Sequence, residues 1–377
     1  MKEAEWVNNW RNFKYNLPHQ QPPYSKKNWG NINHSLCSYQ GKLKPAIAHH
    51  LVTTFVPKGG RIFDPFSGVG TIPFEAALNG MTAFAMDISI MAYYITLAKI
   101  GKSNLVDSLE YIKRLKEYLS KKELSEEYIT TNGDFGLNKK LSEYYERNTF
   151  LEILKSRLFF QEYAPSNSSE MVVISAMLHV LHGNRPYALS RKSHPITPYA
   201  PTGDFEYRSV IEKVSSKVEK FYSQDIPSCF HEGKAFLSDS TDIWNGDINN
   251  LDAIITSPPF FDSTRFYSAN WIRLWFCGWD KHDFTEQPKN YVDEIQKKDI
   301  NIYDSIFRQA RERLKDDGVF VMHLGKSKKC NMGEVLSQIA LRYFGHYELF
   351  SEDVTHCNTF GIKDIGTVTD HQYLIMW

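Results

Sequence analysis

The sequence predicts an α/β fold: a mostly parallel seven-stranded sheet with an antiparallel C-terminal strand and a helical insertion. Three observations carry this. Residues 61–100 alternate strand, helix, strand, helix at the tempo of a parallel sheet. The alternation breaks at about residue 103 and resumes at His231. The chain then closes on two apolar-alternating stretches near 346–354 and 371–377, which read as antiparallel strands.

The elements follow in order. Residues 1–40 are polar, aromatic and proline-bearing (Pro18, Pro22, Pro23) without sustained periodicity, and read as an extended N-terminal arm laid on a surface. From Pro45 to Phe55 the apolar spacing is helical, and the following Pro-Lys-Gly-Gly ending at Gly60 makes a turn. Residues 61–64 form the first strand, residues 65–70 a loop and residues 71–79 a helix that Gly80 terminates. A second strand, residues 82–86, ends at Asp87, with a helix over 89–100. Residues 103–230 are mostly helical and mixed in charge, an insertion into the α/β domain formed by 41–102 and 231–377. Further strands are expected over 235–237, 251–256 and 318–324.

Composition sets the class. The chain has 377 residues, 42% hydrophobic and 23% charged, enough to bury a sizeable core. Its 44 basic and 44 acidic side chains cancel, which argues against a passive nucleic-acid coat and leaves room for one local basic face. The five cysteines are odd in number and contain no Cys-x-x-Cys pair, so neither a disulfide framework nor a metal site is expected and a reducing cytoplasm fits best. The N-terminus lacks the apolar core of a secretory signal, and no apolar run approaches the about 18 residues of a membrane helix.

The loop Asp64-Pro65-Phe66-Ser67-Gly68-Val69-Gly70-Thr71 lies between a strand and a helix. Its two glycines admit a ligand close to the backbone, and the helix N-terminus offers N–H groups to an anionic group. Asp64 can hold a ligand ammonium, and Asp87, 23 residues further on, stands where an acid reaches ribose hydroxyls. A nicotinamide dinucleotide site would need a third glycine, yet positions 73 and 74 are Pro and Phe. A tight turn with no ligand is the bland alternative, and the glycine pair alone would not exclude it.

The second signal is Ser257-Pro258-Pro259-Phe260, which leaves the strand 251–256 directly. Two prolines fix φ and supply no N–H, so the loop is rigid and rich in acceptor carbonyls. That suits a planar, weakly nucleophilic amino nitrogen. Accepting its two N–H bonds at Ser257 Oγ and the Pro258 carbonyl favours a pyramidal nitrogen with a localised lone pair, while the ring stacks on Phe260. A duplex base reaches such a pocket only by flipping out of the stack. No thiolate nucleophile is needed.

The octapeptide resembles the S-adenosylmethionine loop of DNA amino-methyltransferases, Asp-Pro-Phe-x-Gly-x-Gly-Thr, at every fixed position. The tetrapeptide resembles the Ser-Pro-Pro-Tyr/Phe signature of the cytosine-N4 enzymes, whereas adenine-N6 enzymes more often begin with Asp or Asn. The resemblance covers roughly residues 35–100 and 231–377. It implies a Rossmann-like class I methyltransferase fold, S-adenosylmethionine as cofactor, and methylation of a flipped base in double-stranded DNA, with cytosine N4 ahead of adenine N6. An RNA enzyme of the same chemistry and a catalytically idle nucleic-acid-binding protein remain as alternatives. On this comparison Asp64 and Gly68 face the methionine end, Pro65, Phe66, Gly70 and Thr71 belong to the same cofactor loop, and the segment holding Tyr39 and Lys42 closes over the methionine end. Asp87 meets the ribose, Ile88 beside it belongs to the same cofactor site, and the acid or hydroxyl of Asp239-Ser240 meets the adenine. Two departures stand out. The cofactor loop precedes the Ser-Pro-Pro-Phe loop, the reverse of many such DNA enzymes, and the largest insertion follows the second strand rather than occupying a usual recognition position.

Within that insertion, residues 183–203 hold Arg185, Arg191 and Lys192, no acid, and interleaved aromatics, a pattern that suits phosphates and bases. A solvated surface loop is the bland reading. Arg265 leaves the Ser-Pro-Pro-Phe loop and can reach the flipped base or its neighbours. Trp271 and Trp275, four apart, are expected on the core face of a helix. A modification enzyme of this kind can be accompanied by a restriction nuclease; the sequence leaves that, the recognition sequence and the oligomeric state open.

Overall fold

The computed structural model describes residues 5–26, 28–37, 41–183, 187–192, 200–261, 265–354 and 368–377. Its centre is one seven-stranded sheet: β1 (Arg61–Asp64), β2 (Thr82–Asp87), β3 (Lys234–Leu237), β4 (Leu251–Thr256), β5 (Leu314–Ser327), β6 (Tyr347–Asp353) and β7 (Val368–Met376). The order is β3-β2-β1-β4-β5-β7-β6. Neighbours from β3 to β5 are parallel, while β7 runs antiparallel to both β5 and β6. This is the Rossmann-like sheet expected from the sequence. Successive strands move outward in opposite directions from β1 and β4, so a crevice opens at the carboxyl ends of that pair. Asp64 ends β1 and Ser257 follows β4, so the crevice receives both sequence motifs.

The central strands are buried on both faces, which is why Ile62-Phe63 of β1 and Ala253-Ile254-Ile255 of β4 are consecutive apolar residues rather than alternating ones. One face packs on the helices Pro45–Phe55 and Thr71–Leu78 through Ile47, Leu51, Phe55, Ile72 and Ala76, against Ile62, Ala253, Val319, Val321 and Ile375. The other packs on Tyr303–Arg313 and Met332–Ala340, where Ile306, Phe307, Leu336 and Ile339 meet Phe63, Ile254, Phe320 and Met322.

Two elements differ from the sequence expectation. Residues 5–16 form a helix, not an extended arm. Trp6, Trp10 and Phe13 recur at helical spacing, and their rings pack on Phe55, Phe350 and Tyr373. Three aromatic rings among mostly polar neighbours carry the pattern, so docking on the sheet decides it rather than local propensity. β5 also begins four residues earlier than Gly318, because a register shift between Leu251 and Ala253 lets Leu314 pair with β4.

Between the helix Ile90–Ile100 and β3 the chain runs through five longer helices: Leu105–Lys121, Glu126–Asp134, Arg147–Glu162, Ser168–Val180 and Val210–Tyr222. All five start on a side-chain N-cap: Asn104, Ser125, Glu146, Asn167 and Ser209 each accept the amide three residues on. Ser168–Val180 is almost wholly buried and forms the spine of this layer, which shares a core with Met91, Ile95, Trp271 and Trp275. Both tryptophans lie in the core, as their spacing predicts. Among the described residues no helix is long and apolar enough to cross a membrane.

Candidate active site

Asp64 is only 2% exposed. Its Oδ1 accepts Thr256 Oγ1 at 2.6 Å and the Phe66 amide at 3.1 Å, while Oδ2 takes no hydrogen bond among the described residues. Burial, opposed by these two donors, raises the carboxyl to about 7. A buried carboxyl with one oxygen uncommitted is suited to a cationic ligand group, which would restore its charge. The loop beyond it turns through Gly68 at φ +52° and Gly70 at φ +69°. A Cβ on Gly70 would stand 2.7 Å from Thr96 Oγ1, so only glycine lets the loop lie against the helix Ile90–Ile100.

The loop is fastened to the next strand. Asp87 accepts the Gly68 amide on Oδ2 and the Ser89 amide on Oδ1, both at 2.9 Å. Desolvation and then the charge of Asp239 raise Asp87 to about 6. Asp239, two residues past β3, accepts both the amide and the hydroxyl of Thr241 at 2.8 Å. Ser240 is buried, with its carbonyl held by Trp244 Nε1, and Ile88 is exposed beside Asp87. Carboxylates thus line the ends of β1, β2 and β3.

Lys42, Asp64, Phe66, Gly68, Thr71 and Ser257 line one cleft, with Pro65 buried beneath it. Lys42 donates to the His34 carbonyl at 3.1 Å, and burial holds its ammonium below the usual range. Asp87, Ile88, Asp239 and Ser240 continue the row along the strand ends, outside that cleft. Tyr39 lies outside the described residues.

Ser257-Pro258-Pro259-Phe260 is held from three sides. Ser257 Oγ is 3.1 Å from His323 Nδ1 on β5. The Pro259 carbonyl accepts Gln296 Nε2 at 3.1 Å, and Gln296 Oε1 in turn accepts the Tyr303 hydroxyl at 3.0 Å. The Phe261 amide points to Met332 Sδ at 3.2 Å. The half-buried Phe260 ring lies on the backbone of Gly325, where a Cβ would come within 2.5 Å of Cδ2. Sequence reasoning missed Thr256, Gln296, His323 and Gly325. They lie far from the tetrapeptide in sequence or inside strands, and none sits in a pattern that marks a site.

The basic residues expected on nucleic acid fare differently. The Arg191 guanidinium stacks on Phe205 at 3.9 Å and donates to the carbonyls of Glu143 and Gly203, so it braces its own loop. Arg265 pairs with Glu294 at 3.0 Å and donates to the Tyr267 hydroxyl at 3.1 Å. Lys192 is exposed. Arg185 lies outside the described residues.

The methyltransferase-domain model of the UPF0020 family, described as RMKL-like, matches residues 33–127, which span Lys42, the Asp64 loop and Asp87. Over these residues the chain is similar to a methyltransferase domain, a reading that takes S-adenosylmethionine as its cofactor. The residues present fit that cofactor: Asp64, with Oδ2 uncommitted, would hold the ammonium, Lys42 the carboxylate and Asp87 the ribose diol. Solved structures with low similarity include a TehB-like S-adenosylmethionine-dependent methyltransferase from Corynebacterium glutamicum, 9% identical, with 98% of this chain and 95% of that one covered at a TM-score of 0.33. The rRNA methyltransferase aviRa from Streptomyces viridochromogenes is 10% identical over 92% and 93% of the two chains, TM-score 0.33. The glycopeptide N-methyltransferase MtfA, complexed with S-adenosylmethionine, is 8% identical over 90% and 96%, TM-score 0.35. No curated protein sequence matches the chain.

Proposed function

We propose that this methyltransferase modifies the exocyclic amino group of a nucleic-acid base, at an unpaired position in RNA. One observation carries the chemistry: Ser257 lines the same cleft as Asp64, at the head of a loop whose second proline carbonyl is pinned by Gln296. When bound, S-adenosylmethionine supplies a methyl group on a sulfonium sulfur. Asp64 and Lys42 orient the amino-acid end, and Asp87 holds the ribose. Ser257 Oγ and the Pro258 carbonyl accept the two amino protons, turning the nitrogen lone pair towards the methyl group, and Phe260 stacks the base. The base nitrogen would take that methyl group as the sulfonium sulfur leaves with the electron pair of its S–C bond, and would then shed a proton to water.

The choice of RNA rests on charge. Two of the four basic side chains expected on nucleic acid, Arg191 and Arg265, are engaged within the protein, and the net charge is zero. A duplex held along both strands needs many phosphate contacts. An unpaired RNA base needs fewer and is read by stacking and edge contacts, with no extrusion cost. Cytosine N4 in DNA is the second reading, and the serine opening of the tetrapeptide favours it. The test is transfer from labelled S-adenosylmethionine to transcribed, unmodified RNA and to amplified, unmodified DNA, with the product nucleoside identified by mass. An amino-methylated base in RNA is expected. N4-methylcytosine in DNA would reverse the order of the two readings, and methylation at a ring carbon would refute both.

A further inference from the structure

His323 lies in β5 opposite Tyr373 of β7, on the face covered by the N-terminal helix and the segment after it. It is 3% exposed. Its Nδ1 is 3.1 Å from Ser257 Oγ, and its Nε2 has no hydrogen-bond partner among the described residues. The ring packs edge-to-face with His371 at 4.9 Å and Tyr373 at 5.3 Å, and tilted against Phe260 at 5.6 Å. Nothing in the cofactor half of the site requires a histidine here.

A serine hydroxyl has one proton and two lone pairs and rotates freely unless a neighbour fixes it. Pointed into the cleft, its proton would repel the amino protons that Ser257 must accept. We propose that His323 is a positioning residue: its Nδ1 accepts the Ser257 hydroxyl proton and so leaves both Oγ lone pairs facing the base amino group. Burial, reinforced by His371, holds the imidazole well below its ordinary range, so the ring is neutral and keeps a lone pair for this bond. The edge-to-face neighbours suit a proton on Nε2, since aromatic faces receive a positive ring edge. The wall that Phe260 shares with His323 puts the stacked ring and the oriented hydroxyl on one support.

This inference rests on the proposed role of Ser257, and the experiment separates the two. His323→Phe keeps a buried ring and removes the acceptor. His323→Asn places an amide oxygen near the position of Nδ1. Single-turnover methyl transfer to the transcribed RNA and amplified DNA is measured for both, for Ser257→Ala and for the His323→Phe/Ser257→Ala double variant, with thermal unfolding as the control for folding. His323→Phe is expected to slow transfer about 10- to 100-fold at unchanged cofactor affinity, on the scale of one positioned polar group. His323→Asn should recover most of that loss. The double variant should be no slower than Ser257→Ala, because His323 acts only through Ser257. A folded His323→Phe at the parent rate, an Asn variant no faster than the Phe variant, or additive losses in the double variant would each overturn the positioning role while leaving Ser257 in place. Ser257→Ala at the parent rate would overturn both.

Discussion

Thr256 donates its hydroxyl to Asp64 Oδ1 across 2.6 Å, and that bond joins the last residue of β4 to the last residue of β1. The cofactor loop and the Ser257 loop therefore leave the sheet from a common hydrogen bond. A shift in one strand end is felt at once in the other, which is the rigidity that in-line methyl transfer needs.

Asp64 sets a pH dependence. Its carboxyl is raised to about 7 by burial, so in the ligand-free protein it is increasingly protonated below that pH. A neutral acid cannot neutralise an ammonium, so cofactor affinity should fall as pH drops below about 7, approaching tenfold per unit. The effect on folding has the opposite sign. A raised carboxyl favours the folded state most at low pH, and that contribution is lost as pH rises through about 7. Asp64→Asn keeps the Oδ1 acceptor for Thr256 and Phe66 and removes the buried charge. At pH 8 it should bind S-adenosylmethionine more weakly yet unfold at an equal or higher temperature. Calorimetric affinities that stay flat between pH 6 and 8 would refute the assignment.

Asp87 already fastens the Gly68 and Ser89 amides, so if it also holds the ribose, as proposed, its loss costs more than a ribose contact alone. Asp87→Ala removes a charge-assisted bond worth roughly 1.5–3 kcal/mol and releases the Gly68 and Ser89 amides. Cofactor affinity should fall by about one to two decades. The unfolding temperature should fall as well, because two backbone donors lose their partner. An unchanged affinity by calorimetry would show that the cofactor does not reach the end of β2.

Much of this was legible in the sequence. The strand runs 61–64 and 251–256 are dense in apolar and β-branched residues and end on Asp64 and Ser257, so both motifs could be placed on strand ends before any coordinate. The helix Pro45–Phe55 was fixed by its proline start and apolar spacing. What sequence could not show is what tertiary closure brings together. His323 and Gln296 stand 66 and 37 residues from their partners in the tetrapeptide. Gln296 lies among charged residues, and His323 lies in a strand where histidine reads as core. Arg191 looked like a phosphate ligand because a count of charges cannot tell an engaged guanidinium from an available one.

That difference is testable. Arg191→Ala should destabilise the loop and lower the unfolding temperature, since it loses two carbonyl contacts and the Phe205 stack. Lys192→Ala should leave stability unchanged. If Lys192 touches phosphate, its loss should flatten the log–log salt dependence of RNA binding by about 0.7, the single-strand value. An unaltered slope would make Lys192 ordinary surface.

The last prediction concerns the wall behind Phe260. Gly325 has no side chain, and the Phe260 ring occupies the space a Cβ would take: 2.5 Å from Cδ2 and 2.8 Å from Cγ. Because Gly325 is paired with His371 in the β5–β7 ladder, its backbone is held, and the half-buried ring is the part that must move. Gly325→Ala should therefore push Phe260 into the space where the base stacks, while the cofactor loop, one strand pair away, stays in place. Phe260→Ala removes a stacking platform worth about 1–3 kcal/mol per base, roughly a 5- to 150-fold weakening of base capture. Gly325→Ala should raise the KM for nucleic acid by a comparable factor at unchanged S-adenosylmethionine affinity. Adding Gly325→Ala to Phe260→Ala should cost little more, because the clash disappears with the ring. A Gly325→Ala variant with parent KM, or a double variant with fully additive losses, would show that the Phe260 ring is not the surface on which the base rests.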